Sequence, residues 1–430
     1  MRITHPPALS TLMESALSDG CDLFFIMESA RAESKRVDRY LSWNELRFRK
    51  APAGLTEQQW WLGLKLQRRL GREYLGLTDA QHKAFSYSLT PCMLKLLHEI
   101  DTLGASCEPS PELKRSGHNY LINRLEQESI TSSMLEGAVT TRAQAKAMLR
   151  QNRKPLDMGE RMVLNNYATM QEIGNIKHDA FSVEQILTLH RMLTLDTLDE
   201  AQMAGSFRRD EDKVRVEDVR TGELVHTPPP AEYLPSRLQA LCDFANQGDE
   251  DYTHPIIRAC IIHFWLAYDH PFIDGNGRTA RALFYWYMLQ SGYPQYEYIS
   301  ISSEILKRPK NYYKSFLDTE EDEGDINYFI FQQLCTIKSA IESLQSYISN
   351  KSREQEDKLA QLSALPELNM RQKSIYAELL KRPETELSVP YVTRQYHTSP
   401  QTARNDLQRL DQLGLIIKTQ RGKTFFYHIA

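Results

Sequence analysis

Two apolar helical stretches, Pro255 to Tyr268 and Gly277 to Gln290, flank the run His270-Pro-Phe-Ile-Asp274-Gly-Asn276-Gly-Arg278-Thr-Ala-Arg281. Gly275 and Gly277 allow a tight turn whose backbone N–H groups point inward, and a helix starts there. Such a turn is an anion nest reinforced by a helix dipole, and phosphate is its natural guest. Arg278 and Arg281 stand three residues apart, on one helix face, where they can neutralise further phosphate oxygens, while Asn276 can donate from its amide. Asp274 can hold a hard cation such as Mg²⁺ against the same phosphates. His270 is the nearby side chain with an ordinary pKa of about 6.5, suited to taking a proton near neutral pH. Taken singly, a histidine at a helix end is an ordinary cap and Gly-Asn-Gly an ordinary turn. Their conjunction in one loop points to chemistry.

The rest of the composition excludes several classes. Across 430 residues, 52 Lys+Arg stand against 56 Asp+Glu for a net charge of −4, which rules out a collagen, a disordered tail or a supercharged nucleic-acid wrapper. With 41% hydrophobic and 25% charged residues there is material for a real core and for two or three domains. The start lacks the apolar stretch of a signal peptide, and the most apolar window, Ile256 to Tyr268, is broken by Arg258 and His263, so a cytoplasmic, non-membrane protein is expected. Cys21, Cys92, Cys107, Cys242, Cys260 and Cys335 are scattered without C-x-x-C spacing, as reduced thiols would be.

Shifts in pattern divide the chain into a helical extension (1–90), a helical region (91–180), a core (181–349), a helical linker (350–369) and a basic tail (370–430). The expected fold class is mainly α. The extension carries an aromatic-basic patch from Tyr40 to Lys50 and the pair Trp60-Trp61. In the second region, helices are expected over Cys92 to Leu103, over Tyr120 to Glu136 with Gly137 as its stop, and after the N-caps Thr140-Thr141. Ser182 and Gln185 suggest a capping box opening a helix to Leu195. Lys213 to Val216 and Glu223 to His226, around Arg220-Thr-Gly222, read as a β-hairpin, nearly the only strand signal before the tail. From Met370 onward the net charge is +5, and the order helix, helix, helix, hairpin resembles a winged helix-turn-helix.

The loop closely resembles the signature of the Fic family, His-Pro-Phe-x-Asp/Glu-Gly-Asn-Gly-Arg-x-x-Arg, at every fixed position. Supporting features run from about residue 120 to 345. The resemblance implies an all-α enzyme that uses ATP to transfer AMP onto a protein hydroxyl. It makes His270 the base and gives Asp274 the Mg²⁺ between the α- and β-phosphates. Gly275, Asn276, Gly277 and Arg278 would cradle those phosphates, and Arg281 would reach the γ-phosphate. The strand Glu223, Leu224, Val225, His226 would be a flap that clamps the target segment as an added strand, and Tyr312 and Tyr313 would lie on the adenine side.

Ser132-Ser-Met-Leu-Glu136-Gly137 fits the family's inhibitory pattern, Ser/Thr-x-x-x-Glu-Gly/Asn, whose glutamate pairs with the second arginine of the signature. The resemblance thus implies an autoinhibited protein adenylyltransferase acting on Ser, Thr or Tyr of a target protein and on itself, and a homodimer as one open oligomeric state. Two alternatives stand beside it: a hydrolase that removes AMP at the same site, and a nucleotide-sensing transcription regulator. For the tail, protein contact and DNA contact are both open. On DNA, the helix from Pro400 would present Gln401, Thr402, Arg404 and Asn405 to the major groove, with Arg421 and Lys423 on phosphate.

Overall fold

The computed structural model describes residues 4–105, 124–217, 224–248, 252–364, 368–381, 385–421 and 424–429. The chain divides into two compact units, one of residues 1–107 and 121–341 and the other of 108–120 and 342–430.

In the first unit the helix Pro255–Asp269 is buried along nearly its whole length and packs against Asn276–Gln290, which is buried from Arg278 to Met288. Helices apolar on all sides belong at the centre of a layered helical core, and these two form it. Pro255 sits at the first helical position, where its missing N–H costs nothing, and His254 caps the helix through Nδ1. Met158–Ile176, Val183–Thr194 and Leu234–Ala245 pack around the central pair. The Trp286 indole N–H donates to the Ile176 carbonyl at 3.1 Å, and Phe181 stacks on Trp286 with centroids 3.9 Å apart. Ser182 accepts from the Gln185 N–H as a cap should, but the Gln185 side chain turns to the Ser182 hydroxyl instead of completing the box. Thr141 and Gln144 form a full capping box on Arg142–Gln151.

The helices Leu9–Ser18, Leu23–Val37 and Glu57–Leu70 form a cluster around Trp60 and Trp61. Arg68 ties it to the core: it lies 3.8 Å over the Tyr40 ring and donates to the Tyr328 hydroxyl at 3.0 Å. The N-terminal stretch also contains an antiparallel hairpin, Glu73–Thr78 with Ala84–Tyr87, whose second strand bridges to Asp325. The helical extension expected over 1–90 thus also carries a short hairpin. The turn is made by Asp79, whose carboxylate accepts the N–H groups of Gln81 and Lys83, and by His82 at φ 61°. The second hairpin pairs Val216 with His226 and Glu217 with Leu224.

In the second unit, helices Met370–Lys381, Val389–Gln395 and Pro400–Gln412 pack with the hairpin Ile416–Arg421 and Thr424–Ile429. Leu387 exchanges two 2.8 Å backbone bonds with Tyr427, adding a third strand position to the wing. Its core holds Ile375, Leu379, Val392, Leu407 and Leu410. Asp406, 3% exposed, accepts from Arg371 Nε at 2.5 Å and Gln372 Nε2 at 2.9 Å, locking the first helix to the third. Among the described residues, no helix is long and apolar enough to cross a membrane.

Candidate active site

The site forms where the first central helix ends and the second begins. His270 caps the first in the left-handed region (φ 46°, ψ 55°), its N–H bonded to the Leu266 carbonyl. Arg208 supports this conformation from a neighbouring segment, donating from Nε to the His270 carbonyl at 2.8 Å and from its N–H to the Pro271 carbonyl at 2.9 Å. His270 Nδ1 lies 3.3 Å from the Ala267 carbonyl, which can only accept, so Nδ1 carries the proton and Nε2 is left bare. Burial lowers the His270 pKa to about 4, against which the Ala267 bond and the Glu136 charge act weakly, so the imidazole is neutral at pH 7.

Asn276 shapes the turn. Its Oδ1 accepts from the Phe272 N–H at 2.9 Å and its Nδ2 donates to the Phe272 carbonyl at 2.8 Å. The side-chain amide thus holds the turn shut with its oxygen and one of its two N–H donors. Gly275 is the N-cap at φ 82°, and a Cβ there would meet Thr194 Cγ2 at 2.8 Å, so glycine is needed for both conformation and space. The first-turn amides that follow have no partner inside the helix.

Arg278 is 1% exposed; it donates to the Leu193 carbonyl and to Asp274 Oδ2, each at 3.1 Å. Its Nε is buried without a partner, and burial lowers its pKa. The Asp274 carboxylate, 55% exposed, keeps its second oxygen open. Among the described residues no group of three metal-ligating side chains exists. One carboxylate with an open oxygen beside a phosphate nest still fits Mg²⁺, which binds through one or two carboxylates plus substrate phosphates.

Arg281 joins the two motifs. Its Nε donates to Ser132 Oγ at 2.9 Å, and its NH2 to the Ser132 carbonyl at 3.0 Å and Glu136 Oε1 at 2.8 Å. Burial opposes its charge most strongly, but Glu136, Tyr312 and Glu128 together outweigh it and raise the Arg281 pKa. The helix over 124–135 ends at Gly137, φ 87°, which leaves Glu136 at its tip. A Cβ on Gly277 would lie 2.1 Å from Glu136 Oε1, so the carboxylate rests on the opening turn of the second central helix. A negative charge is favoured there.

The histidine of the second hairpin is an anchor. His226 is 8% exposed, donating from Nε2 to the Tyr268 carbonyl at 2.7 Å, with Nδ1 3.0 Å from Glu320 Oε2. Glu223 lies outside the described residues, as do the side chains of Leu224 and Val225. Tyr312 is buried, its hydroxyl 3.0 Å from His263 Nε2, whereas Tyr313 leaves half its surface open. In the second unit Gln401, Arg404 and Asn405 are exposed and Thr402 half-buried; Gln401 donates to Asn405 at 3.0 Å. Lys423 and the side chain of Arg421 lie outside the described residues.

Three residues that sequence reasoning missed build the site's frame. Arg208 is one. His190 is the second, its Nε2 2.9 Å from the Asp274 carbonyl. The third, Glu128, is 2% exposed and accepts from Ser300 Oγ at 2.7 Å, the Ser302 N–H at 3.2 Å and the Ser302 hydroxyl, docking the 124–135 helix on the start of Ile301–Lys307. The serines at 300, 302 and 303 were the available signal.

Burial lowers the pKa of His190 to about 4 and of His263 to about 3. An unfolded histidine titrates near 6.5, so between about pH 6.5 and 4 the unfolded chain binds more protons and stability falls as pH falls. At pH 5 the loss is expected to be about 2 kcal/mol for each of these two. Thermal melts at pH 7 and 5 check it, a lower midpoint at pH 5 being the expected result.

The Fic/DOC family model matches residues 180–288, the stretch that carries the histidine-capped helix, the glycine turn locked by Asn276 and the two buried arginines. A DeoR-like helix-turn-helix domain matches 371–426. Residues 180–288 are thus similar to the Fic/DOC family and residues 371–426 to a DeoR-like helix-turn-helix, in a chain whose described residues are mainly helical. It is 30% identical over 222 residues to the protein adenylyltransferase Fic of Nematostella vectensis, covering 51% of this chain and 46% of that one. It is 37% identical over 118 residues to the protein adenylyltransferase fic-1 of Caenorhabditis elegans, covering 27% of this chain and 21% of that one. The chain thus spans less than half the length of these curated relatives. A crystal structure of a Fic family protein from Desulfovibrio desulfuricans G20 superposes with a TM-score of 0.55 at 22% identity, over 80% of this chain and 97% of that one, and shares the fold.

Proposed function

We propose that the protein transfers AMP from ATP to a Ser, Thr or Tyr hydroxyl of a target protein, itself included, and that Glu136 holds this activity in check. The observation that carries the reading is the convergence of His270 Nε2, the amides opening the second central helix, Arg278 and Arg281 on one turn. His270 takes the proton as the hydroxyl oxygen bonds to the α-phosphorus, and the bond from that phosphorus to the bridging oxygen breaks to release pyrophosphate. The first-turn amides, Arg278 and Arg281 stabilise charge on the phosphates. Asp274 would hold Mg²⁺, which neutralises phosphate charge when bound. The hairpin ending at His226 would dock the target segment, and Tyr313 would flank the adenine.

Incubation with ATP labelled at the α- or the γ-phosphate, followed by protein gels, tests the reading. Label from the α-position on protein is expected. Label from the γ-position alone would mean a kinase and overturn it.

The match to a DeoR-like helix-turn-helix supports a second, compatible reading in which the tail contacts duplex DNA. The full chain should then bind DNA with an affinity that falls steeply with salt, and Arg404→Ala should weaken it. Absence of binding at low salt would assign the tail to protein contacts.

A further inference from the structure

His190 lies on the helix Val183–Thr194, 84 residues before Asp274 in the chain, and is fully buried. The Gly205 N–H donates to its Nδ1 at 3.0 Å, so that nitrogen is bare and Nε2 carries the hydrogen. Nε2 faces the Asp274 carbonyl at 2.9 Å. The ring stacks on Phe272 with centroids 3.7 Å apart and planes 7° from parallel. A Cβ on Gly275 would come within 3.4 Å of His190 Nε2, so the turn's backbone rests on this imidazole.

Peptide planarity converts that contact into an orientation. In a trans peptide the C=O and the following N–H point in opposite directions, and the chain has no cis bonds among its described residues. Holding the Asp274 carbonyl against His190 therefore turns the Gly275 N–H away from the ring, free to meet an anion. We infer that His190 is a positioning residue that sets the Asp274–Gly275 peptide plane and so presents the Gly275 N–H to the bound phosphate. The inference deepens the proposed function and rests on its phosphate site, but not on AMP transfer.

A merely space-filling imidazole and a positioning one respond differently to substitution. His190→Phe keeps the flat ring on Phe272 and loses the donor. His190→Gln keeps a donor where Nε2 stood, and His190→Asn reaches only the Nδ1 position. The probe is inorganic pyrophosphate, titrated by calorimetry into the full chain carrying Glu136→Gly, with melting midpoints recorded for each variant and the Gly275 amide followed by NMR. The Phe and Asn variants should lose about tenfold in affinity, the cost of one misdirected hydrogen bond to a charged group, and lose the Gly275 shift on binding. The Gln variant should retain both. Equal affinity in the Phe variant and its parent, or losses that follow the melting midpoints with Gln no better than Asn, would overturn the inference. Because pyrophosphate binding needs no transfer, a protein that moves no AMP would refute the proposed function while leaving this comparison decisive.

Discussion

Glu136→Gly is expected to raise incorporation of the α-label, self-modification included, on the order of 10- to 100-fold. The physical reason is competition for one guanidinium. Arg281 is 2% exposed and donates to Glu136 at 2.8 Å, so a phosphate that needs the same fork must first displace the carboxylate. A hydrogen bond between charged groups contributes about 1.5–3 kcal/mol, which sets the size of the expected rise. The carboxylate also rests on Gly277, where the nest would take its guest. Arg281→Ala and the double variant should both stay weak, because removing the arginine frees the helix and damages the phosphate site together. If Glu136→Gly labels no faster than the parent, the inhibitory role is wrong. If it loses an AMP-removing activity instead, hydrolysis takes first place.

His270→Ala should lose transfer by about 10² to 10⁴-fold while ATP binding persists, the usual range for a positioned base. The residue caps a helix at φ 46°, which alanine adopts at a cost, so His270→Asn is the companion variant; asparagine tolerates the left-handed region better. Both lose the base, and wild-type rates in either one would exclude His270 from the chemistry. The pH profile gives a further check. With its pKa lowered to about 4, His270 stays unprotonated well below 6.5, so the acid limb of kcat/KM should fall near that lower value.

How much of this was legible in the sequence depends on where each partner lies along the chain. The run from His270 to Arg281 announces itself because its groups are local: turn glycines, a helix start and arginines at helical spacing need no knowledge of tertiary contacts. The pairing of Arg281 with Glu136 spans 145 positions and was anticipated only through the resemblance to a known pattern, and its bond to Ser132, across 149 positions, was not anticipated. His190 carried no such flag, since a histidine on an amphipathic helix reads as core. Its role depends on a backbone carbonyl 84 residues away. Asn276 has a further role that the sequence did not signal: the turn folds back so that Phe272 engages its Oδ1 and one N–H of its Nδ2. The hairpin at Glu73–Tyr87 escaped because its exposed first residues and Gly76 dilute the alternation, leaving Leu75 and Leu77 as its inward markers.

Glu136 and Arg281 belong to one polypeptide, and this has a quantitative consequence for the proposed restraint. An intramolecular ligand acts at an effective concentration set by its tether, commonly about millimolar, whatever the number of molecules in solution. Diluting the protein should leave the restrained fraction unchanged, whereas raising free nucleotide should erode it along an ordinary competition curve. Such an arrangement would make the protein's output follow nucleotide supply rather than its own abundance.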